Sequence, residues 1–529
     1  MFLAVLETIA VITSCVIASI YGVHYLQMSR YQLTVYRQWI TRTHDGFLWR
    51  YAAIGITASI LWWYLRYFLS LFILSTQNRV TVGRWLTLIL YATVTTIISV
   101  SEMRSSAMKK PLVLTMRARR LFAVIIALYI ILFAIVRVCS LPPYLVYITV
   151  PYAILLGGKI IEPLEERINA RFYQQAKQKL CAKKGLVRIG ITGSNGKTLT
   201  KFILKALLSE RYEVLATPAS FNTAMGISRV INDQLEDKHQ VFIAEMGAQH
   251  LHDIEYLVKL VHPQYGIITS IGSEHLETFG SIGNILEGKF ELIQGLPKNG
   301  IAFFASESGN SDRLFERCER EKYSVAVDKE GDYYMNSSII SMDSHGTTFM
   351  LSCADGSSSK CRTVLLGRYN IQNITLAAAV AHKLGLSMDE IATGIEKLMP
   401  FEKKLQLIQG EPMVIDDTYN KTTNGAAEAL DVISHFPGKR IIVTPGLHSA
   451  NAKNDEENFS FGMQMRDCVD CIVLVGTTNE ISMIREGAMR VGFTKRQIRI
   501  VRDFDDAESV LEDIAGPGDT ILYEGSADS

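Results

Sequence analysis

Hydrophobic positions along this chain fall into two regimes that change near residue 158. In the first, apolar residues run almost unbroken over 2–28, 51–74, 85–100, 121–138 and 141–156. Runs near the ~20 residues that cross a bilayer predict an α-helical membrane module of about five spans. From residue 186 onward the apolar runs shorten and alternate with amphipathic stretches. Strands are predicted over 187–191, 214–216, 241–245, 265–270 and 301–305, with helices between them. That alternation describes a largely parallel sheet covered on both faces. After the linker 400–404 a second set follows, over 413–416, 440–445, 471–476, 498–501 and 520–523. Between the regimes, 160–184 is charged and helix-patterned and reads as a helix leaving the membrane. The expected organisation is a transmembrane module 1–158, a linker helix 159–184, a central α/β domain 185–400 and a Rossmann-like C-terminal domain 401–529.

Charge sharpens this division. The 529 residues carry a formal net charge of only +1. Residues 1–158 hold fourteen Lys/Arg against three acidic residues (Glu7, Asp45, Glu102), and 159–529 hold 40 basic against 50 acidic. An acidic soluble part argues against nucleic acid as a partner and suits a basic anchor carrying an acidic enzyme. Two loops are rich in basic residues: Arg30, Arg37, Arg42 and Arg50, then Arg104, Lys109, Lys110, Arg117, Arg119 and Arg120. The loop 75–84 has only Arg79 and Arg84. The positive-inside rule puts the two rich loops in the cytoplasm, the N-terminus outside, and Lys159 onward in the cytoplasm. The first segment lacks an early basic region and a small-residue cleavage site, so it reads as a span and not a cleaved signal. Of eight cysteines, only Cys468 and Cys471 show a C-x-x-C spacing. A zinc site would need a second pair, so free thiols in a reducing compartment are expected.

The most specific chemistry sits at Gly190-Ile-Thr-Gly193-Ser194-Asn195-Gly196-Lys197-Thr198, between a predicted strand and a predicted helix. Backbone N–H groups of such a loop and the helix N-terminus face phosphates. The Lys ammonium reaches the terminal ones, and the Thr hydroxyl can hold Mg²⁺. The spacing Thr-Gly-x-x-Gly-Lys-Thr is tighter than the common Walker loop, and it predicts an ATP site in the central domain. Two further groups fall at predicted strand ends, Glu245 after 241–244 and His275 after 265–270. Both suit a hard cation that bridges ATP to a second substrate.

These segments recur in a known order. Thr-Gly-Ser-Asn-Gly-Lys-Thr198, Ala-Glu245-Met-Gly-Ala, Ser-Glu-His275-Leu-Glu-Thr-Phe-Gly, Gly-Lys289-Phe-Glu-Leu, Gly367-Arg-Tyr-Asn370-Ile-Gln-Asn373 and Asp416-Asp-Thr-Tyr-Asn420 resemble the Mur ligase family. The branch they resemble most joins a UDP-N-acetylmuramoyl-tripeptide to D-alanyl-D-alanine. The resemblance covers about 185–529 and none of the first 158 residues. It implies that Lys197 and Thr198 hold the ATP phosphates and one of two Mg²⁺ ions. It further implies that Glu245 and His275 bind metal, and that Lys289 is carbamylated with its carbamate oxygens directed to Mg²⁺. Asn370 and Asn373 would contact the adenine region, and Asp417 would reach ATP when the domains close. The implied reaction activates a carboxylate as an acyl phosphate, which an amine then attacks to give an amide. Lys197, Glu245, His275 and Lys289 would carry it in the cytoplasm of a bacterium.

Departures from the family pattern bear on the substrate. Membrane spans stand where the family has its UDP-gripping domain. Lys404 occupies the place of a phosphate-facing Arg, keeping the charge and losing the bidentate fork. Lys421-Thr-Thr423 replaces Ala-Asn-Pro, His448-Ser-Ala follows Pro445-Gly-Leu447, and the chain runs out at Glu524–Ser529. The expected protein is a membrane-anchored ATP-dependent amide ligase. Its carboxylate acceptor would be a cell-envelope or capsule glycan or peptide precursor, a lipid-linked glycan among them, and its amine donor an amino acid or peptide. Envelope-synthesis proteins are possible partners. Alternatives are a peptidoglycan-precursor ligase on a soluble acceptor, a poly-γ-glutamate-type polymerase and a non-catalytic membrane scaffold. A transporter ATPase would need a second nucleotide site, and a zinc-ribbon amidating ligase would need cysteine pairs. Neither signature is present.

Overall fold

The computed structural model describes residues 2–41, 47–72, 89, 93, 111–272, 274–306, 309–419, 422–447 and 454–525. Two compact units divide at Arg171/Phe172.

In the first unit, helices cover Phe2–Met28, Leu33–Thr41, Phe47–Phe72 and Met116–Val138, with a 3₁₀ segment at Pro143–Thr149, and the helix Val150–Ala182 begins there and runs past the unit's end at Arg171. Among the described residues three stretches are long and apolar enough to cross a membrane: Thr8–Met28, Met116–Val138 and Pro143–Ala182. The expected span 51–74 overlaps the helix Phe47–Phe72 over 51–72, and the stretch Tyr51–Leu61 in it is apolar but short of a span; residues 73–74 lie outside the described residues. The expected span 85–100, the loop 75–84 and Arg42, Arg104, Lys109 and Lys110 lie outside the described residues. The last expected span and the separate helix 160–184 are one element. A single helix runs from Val150 to Ala182 and keeps Pro163 inside it.

The Met116–Val138 helix explains its own burial pattern. Thr115 caps it by accepting from Ala118 N–H at 3.2 Å. Leu121, Ile125, Tyr129 and Phe133 recur every fourth residue and are buried. Near its start Arg120 forms a bidentate pair with buried Glu165, at 2.6 and 3.0 Å. Arg117 stacks 4.2 Å over the Tyr31 ring.

The second unit holds two sheets. Strands β1 (Val187–Thr192), β2 (Val214–Ala216), β3 (Val241–Glu245), β4 (Tyr265–Ile268), β5 (Ile301–Ala305), β6 (Glu321–Val327), β7 (Met335–Asp343), β8 (Gly346–Cys353) and β9 (Ser358–Thr363) form the first. Its order is β2-β3-β1-β4-β5-β6-β7-β8-β9. It is parallel through β7 and ends in the antiparallel pairs β7–β8 and β8–β9. The sequence pattern anticipates β1–β5 and misses β6–β9. Strands β10 (Gln406–Ile408), β11 (Met413–Asp417), β12 (Arg440–Thr444), β13 (Cys471–Val475), β14 (Ile498–Val501) and β15 (Thr520–Glu524) form the second sheet, in the order β10-β11-β15-β12-β13-β14. Only the β10 edge is antiparallel there. The segments 420–421, 448–453 and 526–529 lie outside the described residues, so Asn420 and the His448-Ser-Ala departure have no structural account here.

Apolar side chains pack on both faces of the first sheet. One face meets the helices Lys197–Leu208 and Arg368–Lys383, and the other meets Ala224–Gln234, Asp253–Val261 and Ile282–Gln294. In a parallel sheet the functional groups gather beyond the strand carboxyl ends, and β1, β3 and β4 are adjacent there.

Candidate functional site

The loop 193–196 leaves β1 and ends where the helix Lys197–Leu208 begins. Gly193 and Gly196 have φ of 150° and 84°. A Cβ on Gly193 would lie 2.0 Å from Thr269 Oγ1, and one on Gly196 would lie 2.5 Å from Asn373 Oδ1. Both glycines are therefore fixed by close approach, and Gly196 also by its left-handed backbone. The loop is tied to the end of β4: Ser194 N–H donates to Ser270 O at 2.7 Å, and Thr269 Oγ1 donates to Asn195 O at 2.5 Å. Ser194 Oγ also accepts from Gly272 N–H at 3.0 Å. Lys197 is folded back on its own loop, donating to Gly193 O at 2.9 Å and to Ser194 O. Its Nζ lies 3.6 Å from Glu274.

Glu245 ends β3, with its Cα paired with Ile191 of β1. Its side chain is 1 % exposed and has three donors. Thr198 Oγ1 and Lys201 Nζ reach Oε2 at 2.9 and 2.8 Å, and Asn222 Nδ2 reaches Oε1 at 3.2 Å. The backbone N–H of Glu245 donates to Thr217 Oγ1 at 3.2 Å. Lys201 is fully buried and also donates to Ala219 O. Burial pulls the Lys201 ammonium below the ordinary lysine range, while the Glu245 carboxylate pulls it back. Lys201, Asn222 and Thr217 have no place in the sequence reading. The signal for Lys201 is its position four residues after Lys197, on the same helix face.

Lys289 is buried in the Ile282–Gln294 helix. Its pKa is lowered to about 8, first by burial and then by the positive charge of Lys197, against the acidic pull of Glu274, Asp253 and Glu291. Lys289 and Lys197 therefore share one electrostatic site. His275 is exposed, with φ 60°, just before the single helical turn Leu276–Phe279 and next to Glu274.

From the second sheet, Asp417 ends β11 and is buried, accepting from Leu405 N–H at 3.0 Å. Lys404 stands 4.5 Å over the Tyr419 ring. Its pKa is lowered by burial, opposed by Asp417 and Glu245 and assisted by Lys197, so it belongs to the same cluster of charges. Asn373 accepts from Thr200 Oγ1 at 3.1 Å, locking the Arg368–Lys383 helix to the loop helix. Asn370 turns instead to its own helix start, donating to Leu366 O at 2.6 Å. The Gly367-Arg-Tyr segment also has a joining role. Glu428, from the Thr423–Ser434 helix, accepts from Tyr369 N–H at 2.6 Å, and a Cβ on Gly367 would lie 2.5 Å from Glu428 Oε1.

The structure thus gathers Lys197, Thr198, Glu245, Lys289, Lys404 and Asp417, with Asn373 behind the loop. His275 follows Glu274, whose carboxylate lies 3.6 Å from Lys197 Nζ, and is exposed. The only grouping of three metal-type ligands among the described residues lies elsewhere, at Cys353, Asp355 and His382. There Tyr334 OH and His382 Nδ1 are 2.9 Å apart. The described cysteines are all free, Cys468 and Cys471 included.

Residues 191–381 match the Mur ligase middle domain, and residues 404–527 match the Mur ligase glutamate ligase domain. The UDP-N-acetylmuramoyl-tripeptide–D-alanyl-D-alanine ligase of Haemophilus influenzae is 28% identical over 345 residues, 64% of this chain and 70% of that protein. The enzyme of the same name from Bacillus subtilis is 26% identical over 343 residues, 64% of this chain and 72% of that protein. A crystal structure of MurF from Acinetobacter baumannii superposes with a TM-score of 0.59 at 26% identity, covering 68% of this chain and 77% of that one. Two matched domains, in the order and at the positions of the loop, the buried carboxylate and the second sheet, decide the family: the chain belongs to the Mur ligases, ATP- and Mg²⁺-using enzymes that join an acid to an amino acid.

Proposed function

We propose that this protein is a membrane-anchored ATP-dependent ligase that forms an amide on a cell-envelope precursor, the kind of reaction that the name of its relatives, UDP-N-acetylmuramoyl-tripeptide–D-alanyl-D-alanine ligase, describes. The observation that carries the reading is the buried Glu245 carboxylate, held against Thr198 at the head of a glycine loop that leaves no room for a Cβ. Such a loop fits a triphosphate, and a carboxylate beside a Thr hydroxyl fits a divalent cation. In this reading Gly193, Ser194, Asn195, Gly196 and Lys197 hold the phosphates. Thr198, Glu245, His275 and a carbamylated Lys289 hold Mg²⁺. Bound Mg²⁺ supplies charge neutralisation between the phosphates and the carboxylate under activation. Lys197 gives up its loop carbonyls for phosphate oxygens, and Lys404 adds a second cation from the C-terminal domain. Asp417 and Asn373 align the two domains on the nucleotide, and closure keeps water from the activated carboxylate.

The membrane part of the proposal rests on the outer side of the Met116–Val138 helix, where Ile126, Ile130, Ile131 and Ile135 are exposed. A face of isoleucines is stable against lipid and costly against water. The acceptor class, a carboxylate on a glycan or peptide precursor at the cytoplasmic leaflet, follows from that anchor. The test is Lys197→Ala in the full chain, assayed for ADP release with UDP-N-acetylmuramoyl-tripeptide and with lipid-linked acceptors. Removing the phosphate-binding ammonium should lower kcat/KM by on the order of 10³-fold. Turnover near the wild-type rate would overturn the ligase reading of this site.

A further inference from the structure

Both oxygens of Glu245 are engaged by donors from the protein itself. Oε2 accepts from the Lys201 ammonium at 2.8 Å and from the Thr198 hydroxyl at 2.9 Å, and Oε1 accepts from the Asn222 amide at 3.2 Å. Lys201 has no route to solvent: its side chain is wholly buried, and its Nζ is also bound to Ala219 O and lies 4.7 Å from the Phe202 ring centroid. The carboxylate therefore carries a permanent counter-cation. A divalent ion and an ammonium want the same oxygens and repel one another, so a resident ammonium weakens the carboxylate as a ligand for free metal. A metal that arrives with triphosphate oxygens brings its own negative charge and does not depend on Glu245 alone.

We propose that Lys201 is a positioning residue that fixes Glu245 beside Thr198 and makes divalent-metal capture at this site depend on the nucleotide. Metal then enters as the metal–nucleotide complex, and the empty loop does not trap a free ion. Thr217 and Asn222 extend the device. They join the segment after β2 to the same glutamate, through Thr217 Oγ1 on the Glu245 N–H and Asn222 Nδ2 on Oε1. The inference rests on the reading of Glu245 as a metal ligand, and its test separates the two.

The probe is Mn²⁺, whose free concentration is read by electron paramagnetic resonance, titrated into the full chain in detergent with and without a non-hydrolysable ATP analogue. Wild type should bind Mn²⁺ at least tenfold more tightly with the analogue than without it. Lys201→Met should raise the nucleotide-free Mn²⁺ affinity at least tenfold and so narrow that gap. Lys201→Gln, which keeps a hydrogen-bond donor and removes the charge, should do the same; it decides the question if the methionine variant does not melt cooperatively. Glu245→Gln should weaken Mn²⁺ binding with the analogue present. If Glu245→Gln leaves that binding unchanged, the metal-ligand reading of Glu245 is wrong. If Glu245→Gln weakens it while the Lys201 variants bind nucleotide-free Mn²⁺ no more tightly than wild type, the metal-ligand reading stands and the role given to Lys201 is overturned.

Discussion

Lys289 is the residue whose chemistry depends most on its surroundings. Its amine is lowered from 10.5 to about 8 by burial and by Lys197. A lysine whose folded-state pKa is depressed binds its proton more weakly than the unfolded chain does. Stability therefore rises with pH between about 8 and 10.5, and the cost is complete below about 8. For an unmodified amine that cost is on the order of 3 kcal/mol. The same shift leaves a sizeable neutral fraction at pH 7.5, and only the neutral amine can attack CO₂ to form a carbamate and release a proton. Carbamylation would replace a strained cation with an anion suited to Mg²⁺. Wild type depleted of CO₂ should thus lose activity and regain it with bicarbonate. Lys289→Ala should lose at least tenfold in kcat, and short carboxylates such as formate should restore part of it. Full activity in Lys289→Ala would remove the carbamate from the mechanism.

Among the elements, the β1–loop–helix unit is legible in the sequence because each of its constraints is local. A short apolar run, two glycines at fixed spacing and an amphipathic helix start leave one geometry. Glu245 is legible for a similar reason, as an acidic residue closing an apolar strand, whereas Asp417 is reached only through the family resemblance. The antiparallel strands β7–β9 are less legible, because their Ser- and Thr-rich, half-exposed alternation gives a weak apolar signal. The turns themselves are marked by Gly346 and Gly356 at positive φ. Least legible are partners set by distant segments, such as Lys201 on Glu245, Asn373 on Gly196 and Glu428 at the start of the Arg368–Lys383 helix. Gly196→Ala tests one of these. The left-handed backbone alone costs a side chain ~1–2 kcal/mol, and its Cβ would meet Asn373 Oδ1 at 2.5 Å. Binding of an ATP analogue should fall at least tenfold and the melting temperature should drop. Adding Asn373→Ala should recover part of the melting temperature, by removing the collision, and none of the binding. Recovery of both would mean that the collision, and not the loop backbone, controls the nucleotide site.

For the whole molecule, the question is what the apolar N-terminal unit does for a ligase whose matched family domains lie at 191–381 and 404–527. Its Met116–Val138 helix exposes Ile126, Ile130, Ile131 and Ile135 by 38–56 %. Covering the exposed half of such side chains with hydrocarbon is worth roughly 1 kcal/mol each, half of what full burial gives, and together these favour a bilayer over water. The full protein should therefore remain in membranes washed with high salt or carbonate, whereas Phe172–Ser529, a compact unit of its own, should be soluble. A tether also changes substrate supply. The family resemblance does not extend to the first 158 residues, and in the proposed reading the membrane takes over the supply of acceptor. A membrane supplies concentration to any acceptor that shares it. Basic residues such as Arg30, Arg37, Arg117 and Arg119 would add on the order of 1 kcal/mol each toward anionic headgroups or a pyrophosphate-linked lipid. Two proteins decide the matter in liposomes, the full chain and the Phe172–Ser529 fragment, each offered soluble nucleotide-linked and lipid-linked acceptors. The full chain should favour the lipid-linked acceptor by at least tenfold in kcat/KM, and the fragment should lose that preference. If the fragment uses the soluble acceptor as well as the full chain uses the lipid-linked one, the helices anchor the enzyme and have no part in choosing what it modifies.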